Sequence, residues 1–450
     1  MSETIFARAS GAGKAGVAVY RLSGPDARAI ATRTSGRSLT PRTPTLVDLL
    51  HANTGERIDQ ALVILFAAPA SFTGEDVAEF HCHGSAAVEA ALYAALQYQG
   101  ARPAESGEFT RRAFENGKLD LAQVEALADL IDAETSEQRK QALGQLDGRL
   151  SARADGWRQR LIAIAAPLEA DVDFPDEGDV PAAVAARAQP QIDALIDELQ
   201  SYRSASSAAR AIRDGVQIAI IGAPNAGKSS LLNALAGSAL AIVSATPGTT
   251  RDVLEARLDL DGVPAIVADT AGIRDQSSDD IEAEGMRRAK VRAAEADIRL
   301  LVIDPLTDGY DLSVAVSRET IDRISETDFV VWSKADLATS RLSSAPDDER
   351  QFRVSAKTGE GVSALIAALS DRAAQFAQKA GDAPLTRARH AVAVDRALEA
   401  LDRARSSLGV APELASEDVR VAARALASIT GAVDVEDVLG AIFESFCIGK

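Results

Sequence analysis

Between residues 222 and 357, four short segments carry side chains that together could bind and cleave a guanine nucleotide. Gly222-Ala223-Pro224-Asn225-Ala226-Gly227-Lys228-Ser229 follows the apolar run 216–221 and precedes a helical pattern at 230–235. Strand, Gly-rich loop and helix in that order make a phosphate cradle. Backbone N–H groups from Asn225 to Ser230 surround the phosphates, Lys228 reaches the terminal ones, and Ser229 can hold Mg2+. Asp269-Thr270-Ala271-Gly272, after the strand-like 265–268, puts a carboxylate near Mg2+ and the Gly272 N–H near the terminal phosphate. Ser333-Lys334-Ala335-Asp336 follows 328–332 and reads as a base loop. Asp336 offers two acceptor oxygens to the paired N–H donors of a guanine edge, which adenine lacks. Ser355-Ala356-Lys357 adds a backbone N–H for the guanine carbonyl.

Three departures refine that reading. Guanine-binding loops usually begin with Asn, and Ser333 stands there, which removes a base contact and a brace between loops. One net hydrogen bond is worth about 0.5–1.5 kcal/mol, so nucleotide affinity is expected to fall several-fold while base choice, resting on Asp336, survives. Ile273 occupies the place where Ras-like switches carry a water-orienting Gln. Glu282, in the acidic run 279–284, is the candidate replacement; a solvated acidic face at a helix start is the alternative. The segment Ser244-Ala245-Thr246-Pro247-Gly248-Thr249-Thr250-Arg251 supplies Thr250 as second hydroxyl ligand for Mg2+, with Arg251 a further catalytic candidate. Asn225 together with the Gly-Thr-Thr-Arg-Asp stretch resembles GTPases that bind K+ beside the phosphates, where the ion does the work of an arginine finger. That resemblance implies Asn225, Ser244, Thr246 and Thr249 as K+ ligands; otherwise Asn225 is a loop former tolerant of unusual dihedrals.

These residues need elements to position them, and 450 residues leave room for two to four domains. The expected architecture is a multidomain chain. An α+β domain spans 1–118, with strands at 16–22 and 61–66. An all-α domain spans 119–212 and resumes at 376–450, and an α/β nucleotide domain at 213–375 is inserted into it. Leu121, Val124, Ala128 and Ile131 share one helical face, as do Leu161, Ile164 and Leu168, and later Val394, Leu398, Leu401 and Leu408. Two cysteines, Cys82 and Cys447, exclude a disulfide scaffold and suggest a reducing compartment. No signal region and no membrane-length apolar run is found, so a cytoplasmic protein is expected. A net charge of −18 argues against broad nucleic-acid binding but leaves room for a local basic patch on RNA. His81-Cys82-His83 alternates across a strand and has few companions elsewhere, which favours a pocket-lining role over a metal site.

Outside the nucleotide segments, Phe72-Thr73-Gly74-Glu75-Asp76, Lys118-Leu119-Asp120-Leu121-Ala122-Gln123 and the terminal Cys447-Ile448-Gly449-Lys450 are highly specific. With the Asn-bearing phosphate loop, they make the chain resemble the MnmE (TrmE) family of tRNA-modification GTPases over its full length. The resemblance implies a folate-binding N-terminal domain and a homodimer whose nucleotide domains pair across K+. It further implies a flavoprotein partner, MnmG, and aminomethyl or carboxymethylaminomethyl addition to carbon five of the tRNA wobble uridine with a tetrahydrofolate one-carbon unit. Arg21, Glu79, Lys118 and Lys450 would correspond to folate contacts. Cys447 is a catalytic candidate by the same correspondence, with packing and nucleophilic roles both open. The rivals are a ribosome-assembly or signalling GTPase without modifying activity, and a folate-dependent aminomethyltransferase, against which the inserted nucleotide domain speaks.

Overall fold

The computed structural model describes all residues except 1–2, 174–179, 243–254, 270–293, 306–327, 338–347, 382–383, 434–442, 444–445, 447–448 and 450. The chain divides into two compact units, Met1–Ala128 with Arg424–Lys450, and Asp129–Ala423.

The first unit is built on a six-stranded sheet. Its strands are β1 (Ile5–Arg8), β2 (Ala15–Ser23), β3 (Thr45–Leu50), β4 (Arg57–Phe66), β5 (Val77–Gly84) and β6 (Arg102–Pro103). They lie in the order β3-β4-β5-β2-β1-β6, antiparallel except where β1 meets β6. Alternation sorts the two faces. Tyr20, Leu22, Val63, Leu65, Phe80 and Cys82 point into a core shared with α1 (Ala27–Ser35) and α2 (Ala86–Tyr98). The opposite face carries Ile5 and Ala7, against which α3 (Glu108–Glu115) lays Phe109. Part of α4 (Leu121–Asp132) belongs to this unit, and Val124 packs on Phe443 and Phe446. Leu121 and Val124 are buried as the spacing predicts, but Ile131 is 40% exposed: the apolar face of α4 is not covered to its end.

The second unit holds the remaining helices and a second sheet. Three helices precede the nucleotide segments: α5 (Ser136–Leu146), α6 (Arg149–Asp173) and α7 (Val180–Asp214). Helix α5 starts with a capping box in which Thr135 and Gln138 satisfy each other's end of the first turn. Strand β7 (Val216–Ile221) then leads to α8 (Lys228–Ala236), β8 (Glu255–Leu260), β9 (Val263–Asp269), β10 (Ile298–Ile303), β11 (Phe329–Trp332) and β12 (Gln351–Arg353). Their order is β12-β11-β10-β7-β9-β8, parallel except for the β8–β9 hairpin. Near-continuous apolar strands such as Phe329–Trp332, buried throughout, are what a parallel sheet covered on its faces demands. Helices α9 (Val362–Ala380), α10 (Ala388–Ser407) and α11 (Pro412–Thr430) follow, α11 running on into the first unit. Leu161, Ile164, Leu168, Val394, Leu401 and Leu408 are buried as their spacing predicts. An α+β part, a helical part and an α/β sheet with a phosphate loop are thus all present. Helix α9 passes through residues 375 and 376 without a break.

Candidate nucleotide and ligand sites

At the end of β7 the backbone turns through Gly222, whose φ of 158° and close approach to the Val302 carbonyl leave no room for a Cβ. Asn225 (φ 65°) and Gly227 (φ 99°) continue a left-handed bend into α8, the backbone form that can turn loop N–H groups towards an anion. Lys228 is 6% exposed and folds back over the loop, its Nζ donating to the carbonyls of Gly222 (2.9 Å) and Ala223 (2.8 Å). Burial pushes its ammonium below the ordinary lysine range, and the Asp269 carboxylate pulls the other way. Ser229 Oγ donates to Asp269 Oδ2 at 2.7 Å, joining an expected Mg2+ ligand to the carboxylate expected near that ion. A hydroxyl beside a carboxylate is a hard-oxygen set that suits this ion.

Next to the loop, the base segment is cross-braced. Ser333 Oγ lies 2.6 Å from the Ala226 carbonyl and 3.0 Å from that of Ile303. The expected loss of a brace at this Asn-to-Ser position is therefore corrected: the hydroxyl itself reaches the phosphate loop through the Ala226 carbonyl. Lys334 (φ 54°) crosses to the Asn225 carbonyl at 3.1 Å and to Asp304 Oδ2 at 2.5 Å. Asp336 is held by the Ser355 hydroxyl, 2.7 Å from Oδ1. Asp304 and the Ser355 side chain are additions that the sequence alone did not single out. The first sits at the end of β10 beside β11, and only the strand order reveals it. The Ala335 N–H donates to the Val354 carbonyl, which ties the base segment to the stretch that leads into Ser355.

In the first unit, the register of β2 on β5 sets Arg21 opposite Glu79. Arg21 Nε and Nη2 both donate to Glu79 Oε1, at 3.1 and 2.9 Å, and the guanidinium lies over the rings of Phe72 (5.2 Å) and Phe109 (5.8 Å). Lys118 is exposed; its Nζ donates to the Pro69 carbonyl, and its stem packs beside Gly74 in the loop that carries Phe72. Gly449, close to the end of the sequence, lies in this unit. Gly449 (φ 106°) presses on the Arg8 carbonyl so tightly that a Cβ would overlap it, and Ala7, next to Arg8, faces Arg21 across the sheet.

Beneath this face lies a buried ion network. Arg112 donates to Glu108 Oε1 (2.8 Å) and to Glu75 Oε2 (3.0 Å), and Ser23 bonds both Glu75 (2.8 Å) and Thr73 (2.7 Å). Burial alone would raise the Glu108 carboxyl. Hydrogen bonds from Arg102, the Glu105 N–H and Arg112 overcome it and hold the group down at about 2. The dense charge of segments 71–84 and 107–120 is thus explained in part as structure. Cys82 is buried on the other face, where desolvation pushes its thiol up to about 12. Among the described residues no group of three or more His, Cys, Asp and Glu could hold a metal, and no helix is long and apolar enough to cross a membrane.

Other expected site residues lie outside the described residues: Ser244, Ala245, Thr246, Pro247, Gly248, Thr249, Thr250, Arg251, Thr270, Ala271, Gly272, Glu282, Cys447 and Lys450.

Comparison with known proteins agrees in extent along the chain. Residues 4–118 match the family model described as the GTP-binding protein TrmE N-terminus, and residues 121–447 the MnmE helical domain. The tRNA modification GTPase MnmE of Paramagnetospirillum magneticum is 50% identical over 452 residues, covering 100% of both chains. That of Caulobacter vibrioides is 50% identical over 456 residues, again covering 100% of both. Among solved structures, the G domain of the T. maritima FeoB iron transporter is 25% identical over 36% of this chain and 99% of its own. Its TM-score of 0.25 is too low to bear on the fold.

Proposed function

The chain belongs to the MnmE family of tRNA modification GTPases, and from that premise we propose a GTP-hydrolysing enzyme that modifies the wobble uridine of tRNA. The observation that carries the GTPase half is Lys228 bonded to its own loop carbonyls inside a left-handed backbone cradle. A bound triphosphate would replace those carbonyls as the partner of the ammonium, and the loop N–H groups would take up the remaining phosphate oxygens. Ser229 and Asp269, with Thr250, would hold Mg2+, which neutralises phosphate charge when bound. Asn225, with Ser244, Thr246 and Thr249, would hold K+ in the place of an arginine finger; the Asn225 side chain is exposed and bonded to no described residue, which suits a ligand. Asp336, fixed by Ser355, reads guanine, and the backbones of Ala335, Ser355, Ala356 and Lys357 close around the base. Glu282 positions the attacking water, and Arg251 supports the closed state.

In the first unit, Arg21 and Glu79 with Lys118 and Lys450 bind a tetrahydrofolate derivative that supplies the one-carbon unit. The face fits such a ligand: Glu79 Oε2 accepts no hydrogen bond from a described residue, and the neighbouring His81 Nε2 is withdrawn from water with no hydrogen-bond partner among them. Gly449 bending onto β1 supports the reading that the terminal segment of the sequence, to which the roles of Cys447 and Lys450 are assigned in this proposal, serves this unit. The protein acts in the cytoplasm as a homodimer, with the flavoprotein MnmG as partner and a (carboxymethyl)aminomethyl group as the product on carbon five. The domain limits 1–118, 119–212, 213–375 and 376–450 belong to the same proposal.

Phosphate release in saturating KCl and NaCl tests the ion: the expected outcome is fast hydrolysis only in KCl, and equal rates overturn it. Nucleoside analysis of tRNA from a deletion strain tests the pathway. Unaltered wobble uridine modification would leave the rival reading, a signalling or ribosome-assembly GTPase.

A further inference from the structure

Strand β5 places Glu79 and His81 two residues apart, on the same face. Val19 of β2 and Leu62 of β4 flank His81, so its neighbours across the sheet are apolar. The polar groups near it are Glu79, Arg21 beyond it, and the His83–Asp59 pair two residues on. Arg21 saturates one oxygen of Glu79 and leaves Oε2 open. His81 Nε2 stands 3.6 Å from that oxygen, beyond hydrogen-bond range, and has no hydrogen-bond partner among the described residues. A polar ring nitrogen left unpaired in a native fold requires an explanation, because it forfeits its bonds to water for nothing. Packing does not supply one. The side chains of Arg21, Glu79 and His81 keep 21, 17 and 27% of their surface, so the face is not sealed. The ring torsion of a histidine is broad, and no hydrogen bond to Nε2 has to break for the imidazole to turn.

With the proton on Nε2, the face offers one donor and one acceptor side by side. The partner such a pair fits is a cyclic lactam, whose ring N–H and C=O are adjacent and point the same way. We propose that His81 is a binding residue of this face, donating through Nε2 to a ring carbonyl while Glu79 Oε2 accepts from the neighbouring ring N–H. The inference rests on the folate reading and deepens it: it assigns the pterin lactam to the Glu79–His81 edge and makes His81 a specificity residue for an oxo ring over an amino ring.

Calorimetric titration of the full chain with 5-formyltetrahydrofolate tests it. His81→Ala is expected to weaken binding about tenfold, the scale of one hydrogen bond lost to a buried polar edge. His81→Gln, whose amide N–H falls near the place of Nε2, is expected to restore most of it, which a role in packing alone would not predict. Parallel titrations with folic acid and aminopterin, which differ at the ring carbonyl and its neighbouring N–H, should show wild type favouring the oxo ring and His81→Ala losing the part of that preference that the carbonyl contact supplies. Binding by wild type that is abolished in Glu79→Gln yet unchanged in His81→Ala overturns this inference alone. No binding of any folate by wild type overturns the folate reading, and this inference with it.

Discussion

The phosphate loop of the second unit keeps its shape through backbone: left-handed residues, a glycine against a carbonyl, and a lysine bonded to main-chain oxygens. The Arg21 face of the first unit keeps its shape through side chains, each charge held by another, over the buried Glu75–Arg112–Glu108 network. The first construction tolerates changes around it and fails when one backbone position or its lysine is altered. The second spreads its geometry over residues far apart in sequence, so it fails wherever the network is cut.

Cutting the network is the strongest way to break the comparison. Arg112→Met removes the cation between Glu108 and Glu75, leaving Glu108 on Arg102 and Glu75 on the Ser23 hydroxyl, and is expected to cost about 1–3 kcal/mol, measured by chemical denaturation. A loss under 1 kcal/mol would mean that the face stands without its network. The pH dependence has a definite sign. Glu108 falls from 4.5 to about 2 on folding, so its contribution is complete above about 4.5 and disappears as pH drops towards about 2. The stability gap between wild type and Glu108→Gln should close over that interval, and a gap constant with pH would remove Glu108 as its source.

Lys228→Ala is expected to lower GTP hydrolysis about 10²–10³-fold through lost charge stabilisation, with the unit still folded. A rate within tenfold of wild type would show that the loop is not where the phosphates bind. Gly222→Ala sharpens the backbone half of the comparison. Its Cβ would overlap the Val302 carbonyl at a φ that other residues rarely adopt, so about 2 kcal/mol of stability should go with it. The smallest effect is an absence. Cys82, buried with its thiol raised to about 12, should stay unlabelled by iodoacetamide at neutral pH until the protein is unfolded.

The same contrast governs what could be read from the residues alone. The loop 222–229 was legible because its strand, glycines and helix are contiguous and each obeys a local rule. Asp336 was legible as the acidic position of a base-loop pattern, but the Ser355 hydroxyl that orients it was not, because nineteen residues of chain separate them. Arg21 and Glu79 were found through resemblance; the bond between them depends on the β2–β5 register, set by burial of Tyr20, Leu22 and Phe80 on the other face. The i,i+4 pair Glu108–Arg112 sits in plain view on α3, yet its partners Glu75 and Arg102 arrive through the tertiary fold. Ile131 failed its pattern because a periodic face stays apolar only where something covers it.

Ser333 has one hydroxyl hydrogen and two carbonyls within reach, those of Ala226 and Ile303. That hydrogen can go to only one of them at a time, while the Ser333 N–H holds the Ile303 carbonyl and Lys334 holds that of Asn225, so the hydroxyl's grip on the phosphate loop is shared with the strand end. An amide brings two hydrogens. Replacing Ser333 with Asn is thus a route to a variant that holds its nucleotide longer, with slower dissociation as the trait to select for and turnover as the trait at risk.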